Sequence, residues 1–405
     1  MNKKNRLISL VLILMFALLS PPLSGAQDIT YTLRLNLNGE YNDNLFFSRT
    51  DKEDDFIFNI DPAIQINYAS DLLELNSLAT VRFRRYTSES DLDREDYLVN
   101  LRGRYRLTER LQFTGRLYYL QDNTLEWRTI DLIDNITDEV PIEQPDETER
   151  GIERFLSERK RYNAAGSMHY QLTEISNMNV GYRYLKNTYD LDENTDYEVD
   201  DLDLGYMRRL AGQRDQIGTR LSYSQRTSDV SDTDTYGIGL VWNHIFTETI
   251  RLFTDIGIRY TEQTFKDDRS KSDNWNPTAN IRLRKRGETN IFSIGFRQDV
   301  QTSSAGRSVN VSRLYGDMQQ FISERFVFEL AGDFYISRDD DNSISDIDSV
   351  FFDIVPSVRY LLTENHSLRL AYNYTIDHDR TLDTDRDKER NRVWLMFEFG
   401  FPGKW

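Results

Sequence analysis

Arg102, Arg104 and Arg106 recur at every second position. In an extended chain that spacing puts three guanidinium groups on one face. Arg282 and Arg284 repeat it. A guanidinium offers a planar set of donors suited to carboxylates, sulfates and phosphates. Single arginines take the same phase in other alternating segments: Arg34, Arg82, Arg84, Arg116, Arg183 and Arg220, then Arg251, Arg259, Arg297, Arg359 and Arg369. Carboxylates join them at Asp255, Asp299, Glu329, Asp333, Asp353 and Glu398. Two chemistries fit this pattern. One is a channel wall that contacts an anionic or hydroxyl-rich solute, with charges tuning which solute passes. The other is a set of ion pairs that stiffens the wall.

Catalytic groups are harder to find. The four histidines, His169, His244, His366 and His378, belong to no recognisable constellation. No glycine-rich phosphate loop and no HExxH stretch occurs. The chain has no cysteine, which excludes disulfides and thiolate metal sites. No cofactor or metal is called for, and a non-enzymatic protein is expected. A formal charge of −17 argues against a nucleic-acid partner.

The elements that must position these charges are strands. Val393, Leu395, Phe397, Phe399 and Phe401 fall on one face of the last segment, and Arg392, Trp394, Met396, Glu398 and Gly400 on the other. Similar segments fill the chain from Tyr31 onward. One face is apolar and aromatic, as in Phe352, Ile354, Pro356, Val358 and Tyr360, and the other is polar. That is the pattern of an antiparallel transmembrane β-barrel with lipid outside and water inside. A soluble β-sandwich would not need the turn rhythm described next.

Short turns carry an apolar residue, then Ser or Thr, then Glu: Leu107-Thr108-Glu109, Leu172-Thr173-Glu174, Phe246-Thr247-Glu248, Ile322-Ser323-Glu324 and Leu362-Thr363-Glu364. Ser70-Asp71, Gly212-Gln213-Arg214 and Arg286-Gly287-Glu288 fill the same rhythm. Eight such turns imply 18 strands. Sixteen is the second choice, because the phase is poor near Val309–Phe321 and Tyr197–Met207. A spanning strand needs about 9–11 residues, which leaves room for long loops between the short turns. Acidic stretches at Asp51–Asp55, Glu89–Asp96, Asp190–Asp201, Asp339–Asp348 and Asp377–Glu389 read as those loops. The longest, 121–160, holds 12 acidic and five basic residues. Folded inward, it would oppose the arginine wall; the alternative is an exposed loop. Short turns face the periplasm in outer-membrane barrels, so both termini are expected there.

Lys3, Lys4 and Arg6, then the apolar run Leu7–Leu19 and the small residues Ser24-Gly25-Ala26, read as a cleaved export signal over residues 1–26. The barrel then occupies 27–405, in the outer membrane of a Gram-negative cell. Its partners would be membrane lipid and lipopolysaccharide, with a solute in the lumen.

Glu40-Tyr41-Asn42-Asp43-Asn44-Leu45-Phe46 closes the first strand. Its Tyr41, Asp43, Asn44 and Phe46 resemble the Tyr-x-Asp-Asn-x-Phe motif of the β-barrel porins found in exopolysaccharide loci, the EpsL-like barrels. The resemblance covers the mature chain in architecture and about seven residues in motif. It implies an outer-membrane channel for secretion of a polysaccharide, served by a periplasmic or inner-membrane export partner. A general or anion-preferring diffusion porin for small solutes is the second expectation. A non-conducting structural or adhesive barrel is the third. Pro402, just before the terminal Gly403-Lys404-Trp405, puts the register of the last strand in question.

Overall fold

The computed structural model describes residues 28–123, 157–191, 194–267, 270–302, 308–339, 348–379 and 386–404. The strands are β1 (Asp28–Asn42), β2 (Asp55–Ala69), β3 (Leu73–Tyr86), β4 (Arg94–Arg106), β5 (Leu111–Asn123) and β6 (Glu158–Thr173). There follow β7 (Ser176–Tyr189), β8 (Tyr197–Arg209), β9 (Asp215–Ser228), β10 (Ser231–Ile245), β11 (Ile250–Phe265) and β12 (Lys271–Arg286). The last third holds β13 (Asn290–Thr302), β14 (Ser308–Phe321), β15 (Phe326–Asp339), β16 (Asp348–Leu361), β17 (His366–Asp379) and β18 (Arg386–Lys404). They form one 18-stranded antiparallel sheet. Because β1 pairs with both β2 and β18, the sheet closes into a barrel. The register from Thr30–Lys404 to Asn42–Arg392 runs through Pro402, so the proline does not end the last strand.

The two-residue period sorts the faces. Phe56, Phe58 and Ile60 in β2, and Tyr236, Ile238 and Leu240 in β10, point outward and are exposed. Their intervening neighbours point inward. Strand β8, where the sequence phase is poor, still presents Leu202, Leu204 and Tyr206 outward. Its phase is obscured because Glu198 and Asp200 continue the outward row above the apolar band. There Glu198 meets Lys186 at 2.6 Å, and Tyr182 donates to Asp200. The same pairing of an outward tyrosine with an acid recurs at Tyr41–Asp54, Tyr97–Glu95, Tyr223–Asp234 and Tyr260–Asp273. Tyrosine suits this boundary, with its ring in the apolar layer and its hydroxyl in the polar one.

All eight expected short turns are present, at the end of the barrel that also holds Asp28 and Lys404. Their Ser and Thr have a common job. Thr108 Oγ1 accepts the N–H groups of Arg110 and Leu111. Thr247 accepts those of Thr249 and Ile250, and Ser323 those of Arg325 and Phe326. The hydroxyl satisfies donors that the tight turn removes from the ladder.

The opposite connections are shorter than the sequence suggests. The strands have 13 to 19 residues, more than a bilayer requires, and β9 joins β10 through Asp229 and Val230 alone. Arg94–Asp96, Tyr197–Asp201, Asp377–Asp379 and Arg386–Glu389 are strand, not loop. So are Gln121–Asn123 and Glu158–Lys160 at the two ends of the longest loop. Antiparallel pairing does not need lipid, and it continues above the membrane where facing charges match. Asp201 beside Arg183 is one such pair. The inward folding expected for loop 121–160 concerns residues outside those described.

Thr247→Ala should lower the unfolding free energy by about 1 kcal/mol, the net worth of one hydrogen bond. Thr247→Ser should not. Urea titration in lipid vesicles, followed by tryptophan fluorescence, checks both.

Candidate functional site: the inner wall

The inward phase is not uniform along the barrel. On strands β1–β5 and β11–β12 the inward side chains nearest the short turns are accessible, whereas on β14–β17 those at the same end are buried. Arg104 and Arg106 are 40% and 53% exposed, and one carboxylate, Glu74, serves both at 3.2 and 3.0 Å. Arg34 is exposed and donates to the neutral Gln65 at 2.6 Å. Arg102 lies directly opposite Arg116, which reaches Asn100 and stacks its guanidinium over Tyr118. Arg251 lies opposite Arg284, and Arg282 opposite Phe253. Asp317 of β14 is the acid beside Arg282 and Arg284.

Toward the loop end, and on β15–β17 at the short-turn end, the arginines are matched with carboxylates. Arg82 meets Asp61, Arg84 meets Asp96, and Arg183 meets Asp201. Arg220 meets Asp255 at 3.1 Å, while Arg259 and Arg297 share Asp299. Glu329 is almost fully buried and is held by Arg359 at 2.7 Å and Arg369 at 3.5 Å. Its remaining capacity is taken by Gln319 and Ser357. Asp353 accepts from Asn373 and Thr375, and Asn373 in turn accepts from Arg392. A buried carboxylate is tolerable only when its lone pairs are engaged in this way.

Apolar side chains also fill part of the inner wall, near the loop end and at mid-barrel. Val309, Val311, Tyr335 and Phe351 form one cluster, and Ala331, Val355, Ala371 and Trp394 another. Leu45 of the first loop packs on Ile57 and Tyr86, both inward-facing, so that loop bends over the inner wall.

Several inward arginines of the upper wall do not stand out in the sequence. Arg313 pairs with Asp333. Arg159 pairs with Asp122 at 3.0 Å, and Arg161 donates to Asn187; all four are buried. Arg226 covers the Tyr197 ring, and Arg390 that of Phe47. Arg159 and Arg161 fall at the edge of a stretch that reads as loop, although their alternation with Asn163 was a usable signal.

Tyr41, Asp43, Asn44 and Phe46 lie where the first and last strands meet. Asp43 accepts the backbone and side-chain N–H groups of Asn391 at 2.6 and 2.8 Å. Buried Asn44 donates to the carbonyls of Ser48 and Glu389 and accepts from the Ser48 amide. Tyr41 donates to Asp54, and Phe46 packs beside Leu45. These polar groups fasten loop to seam.

The histidines are dispersed. His244 contacts Asp215 on the outward face, and His378 contacts Asp387 near the loop end. His366 lies by Phe399 and Phe401. His169 sits between Gln112 and Asn179 in the inward row.

Residues 30–157 match the family described as "Putative beta-barrel porin 2", a span from β1 into the connection after β5. No curated protein matches. Among solved structures, a BenF-like porin from Pseudomonas fluorescens Pf-5 aligns with a TM-score of 0.49 at 10% identity, over 94% of this chain and 99% of that one. Pseudomonas aeruginosa OccK2 (OpdF) aligns at 0.48 and 10%, over 93% and 98%. The outer membrane channel DcaP of Acinetobacter baumannii aligns at 0.43 and 13%, over 93% and 98%. The chain is a closed 18-stranded antiparallel β-barrel, and its residues 30–157 resemble a family of β-barrel porins.

Glu329→Ala should cost about 3–5 kcal/mol, because it leaves the buried Arg369 and the half-buried Arg359 facing one another with only Glu398 near Arg369. Asn44→Ala should cost about 1–3 kcal/mol through the carbonyls it strands at the seam. Both are read from urea midpoints and from the temperature at which the folded band shifts on a gel.

Proposed function

We propose that the barrel is a passive outer-membrane porin for small hydrophilic solutes, with a preference for anions. One observation carries this reading: near the short turns of β1–β5 and β11–β12, the inner wall exposes arginines in excess of carboxylates. Glu74 stands between Arg104 and Arg106, and Arg34 meets only a neutral amide. Anions entering from that end would meet positive charge in water-accessible positions, and rings of charge set selectivity in pores. The paired arginines elsewhere in the wall, with Glu329, Asp333 and Asp353, would hold it rigid while the solute passes. The short turns and both chain ends would face the periplasm.

Export of a polysaccharide, with a periplasmic partner, is the second reading. It rests on the resemblance of Tyr41–Phe46 to barrels of exopolysaccharide loci. Asp43 and Asn44 already have a structural task at the seam, which accounts for them without a polymer.

Reversal potentials across planar bilayers under a KCl gradient test the first reading. The purified protein should favour chloride over potassium. Changing Arg34, Arg104 and Arg106 to Ser should bring the permeability ratio at least twofold closer to unity. Potassium preference in the native protein would overturn the anion preference, and absence of current would favour a structural barrel. Loss of secreted polysaccharide on gene deletion would move the assignment to polymer export.

A further inference from the structure

Three prolines occupy the outward phase of strands: Pro62 in β2, Pro277 in β12 and Pro356 in β16. Proline has no N–H and weakens one of its two ladders. At Pro62, pairing with β3 lapses after Ile60–Phe83 and resumes at Ala63–Thr80. At Pro356, pairing with β17 lapses after Ile354–Tyr374 and resumes at Ser357–Ala371. At Pro277 it does not resume. The β12–β13 register runs from Arg286–Ile291 to Ala279–Gln298 and ends there. Both strands continue toward the loop end, each held on its far side only. Strand β12 stays paired with β11 as far as Lys271, and β13 with β14 as far as Thr302.

The two facing edges are finished by side chains. Trp275 shares the parity of Pro277, and Val300 that of Gln298, so both amides point into the gap. Asn274 Oδ1 accepts the Trp275 N–H at 2.8 Å. Asp299 Oδ1 accepts the Val300 N–H at 2.9 Å. On the inner side, polar contacts reach across. Arg259 of β11 meets Asp299 of β13, and Asn310 of β14 donates to Asn276 of β12 at 3.0 Å. The gap from Ala279 to Trp275 covers about 13 Å of strand. Trp275 is 62% exposed and packs 5.0 Å from Tyr260, whose hydroxyl meets Asp273. That aromatic pair lies at the boundary of the apolar band, so the gap opens on lipid.

We infer that the wall has a lateral window between β12 and β13, and that the window takes the chain of a single-chain anionic amphiphile. Its outer rim is apolar: Trp275, Pro277 and Val300. Its inner rim is cationic: Arg259 and Arg297, both latched by Asp299. An anionic head group competes with Asp299 for those guanidiniums while its chain rests between the strand edges. This passage is separate from the axial one and does not depend on what the lumen conducts.

The absence of cysteine makes the test direct. Thr278→Cys puts one thiol on the inward phase beside the gap. Thr235→Cys puts one behind continuous ladders on both sides. Each is labelled with bimane, reconstituted in liposomes and titrated with 9,10-dibromostearate, whose bromines quench on contact. The label at 278 should be quenched at least threefold more than the label at 235. Adding Asp299→Asn to the Thr278→Cys protein should at least double quenching at a fixed dibromostearate concentration; no change would remove the latch. Equal quenching at 278 and 235 would overturn the window. Equal quenching of 278 by dibromophosphatidylcholine would overturn the ligand class. Hydrogen exchange on the unmodified protein reads the gap independently. The gap-facing amides of Asp273 and Trp275 should exchange at least tenfold faster than those of Ile281 and Leu283 in the same row, and equal protection would overturn the proposal.

Discussion

Hydrocarbon offers no hydrogen bonds, and each unsatisfied peptide group in it costs several kcal/mol. Everything in this chain answers to that constraint. A sheet of 18 strands has two edges, and only their union removes both. Strands β1 and β18, at opposite ends of the sequence, therefore pair along thirteen positions. The loop after β1 adds a fastening: Asp43 and Asn44 reach Asn391 and Glu389 across the same seam. The hydroxyls of Thr108, Thr247 and Ser323 serve the same constraint at the turns. Where Pro277 breaks the rule, Asn274 and Asp299 supply the missing acceptors.

The second organising fact is the placement of charge. The chain is acidic, with a formal charge of −17, yet arginine dominates the inward phase. Acids gather at the loop end and on the outward face above the tyrosines. Within the wall, desolvation sorts the arginines by how crowded their side of the barrel is. Where side chains crowd, as around Glu329, each guanidinium has a carboxylate close by. Where the wall is accessible, as at Arg104 and Arg106, water carries part of the solvation and one acid suffices for two bases. Stiff wall and charged surface, which look like rival explanations in the sequence, are two zones of one barrel.

Much of this is legible in the sequence. The period of two, the Ser/Thr turn signature and the turn spacing give 18 strands, because each depends only on local backbone chemistry. Even Gly212-Gln213-Arg214, which lacks the signature, was placed by rhythm, and Gln213 takes the positive φ that such a turn needs. Local chemistry fails at the loop end. Asp377–Asp379 and Arg386–Glu389 are polar enough to be loop and are strand instead, because each supplies the other's ladder partners.

The sequence by itself thus determined fold class, strand number and which arginines share the inward phase, since alternation needs no knowledge of neighbours. Tertiary structure alone decided which arginine meets which acid, as with Arg259 and Asp299, forty residues apart. It also decided that Arg159 and Arg161 belong to the wall and that one proline of three leaves its ladder open. Those outcomes depend on register between strands, and register is set by the closed sheet, not by any strand within it.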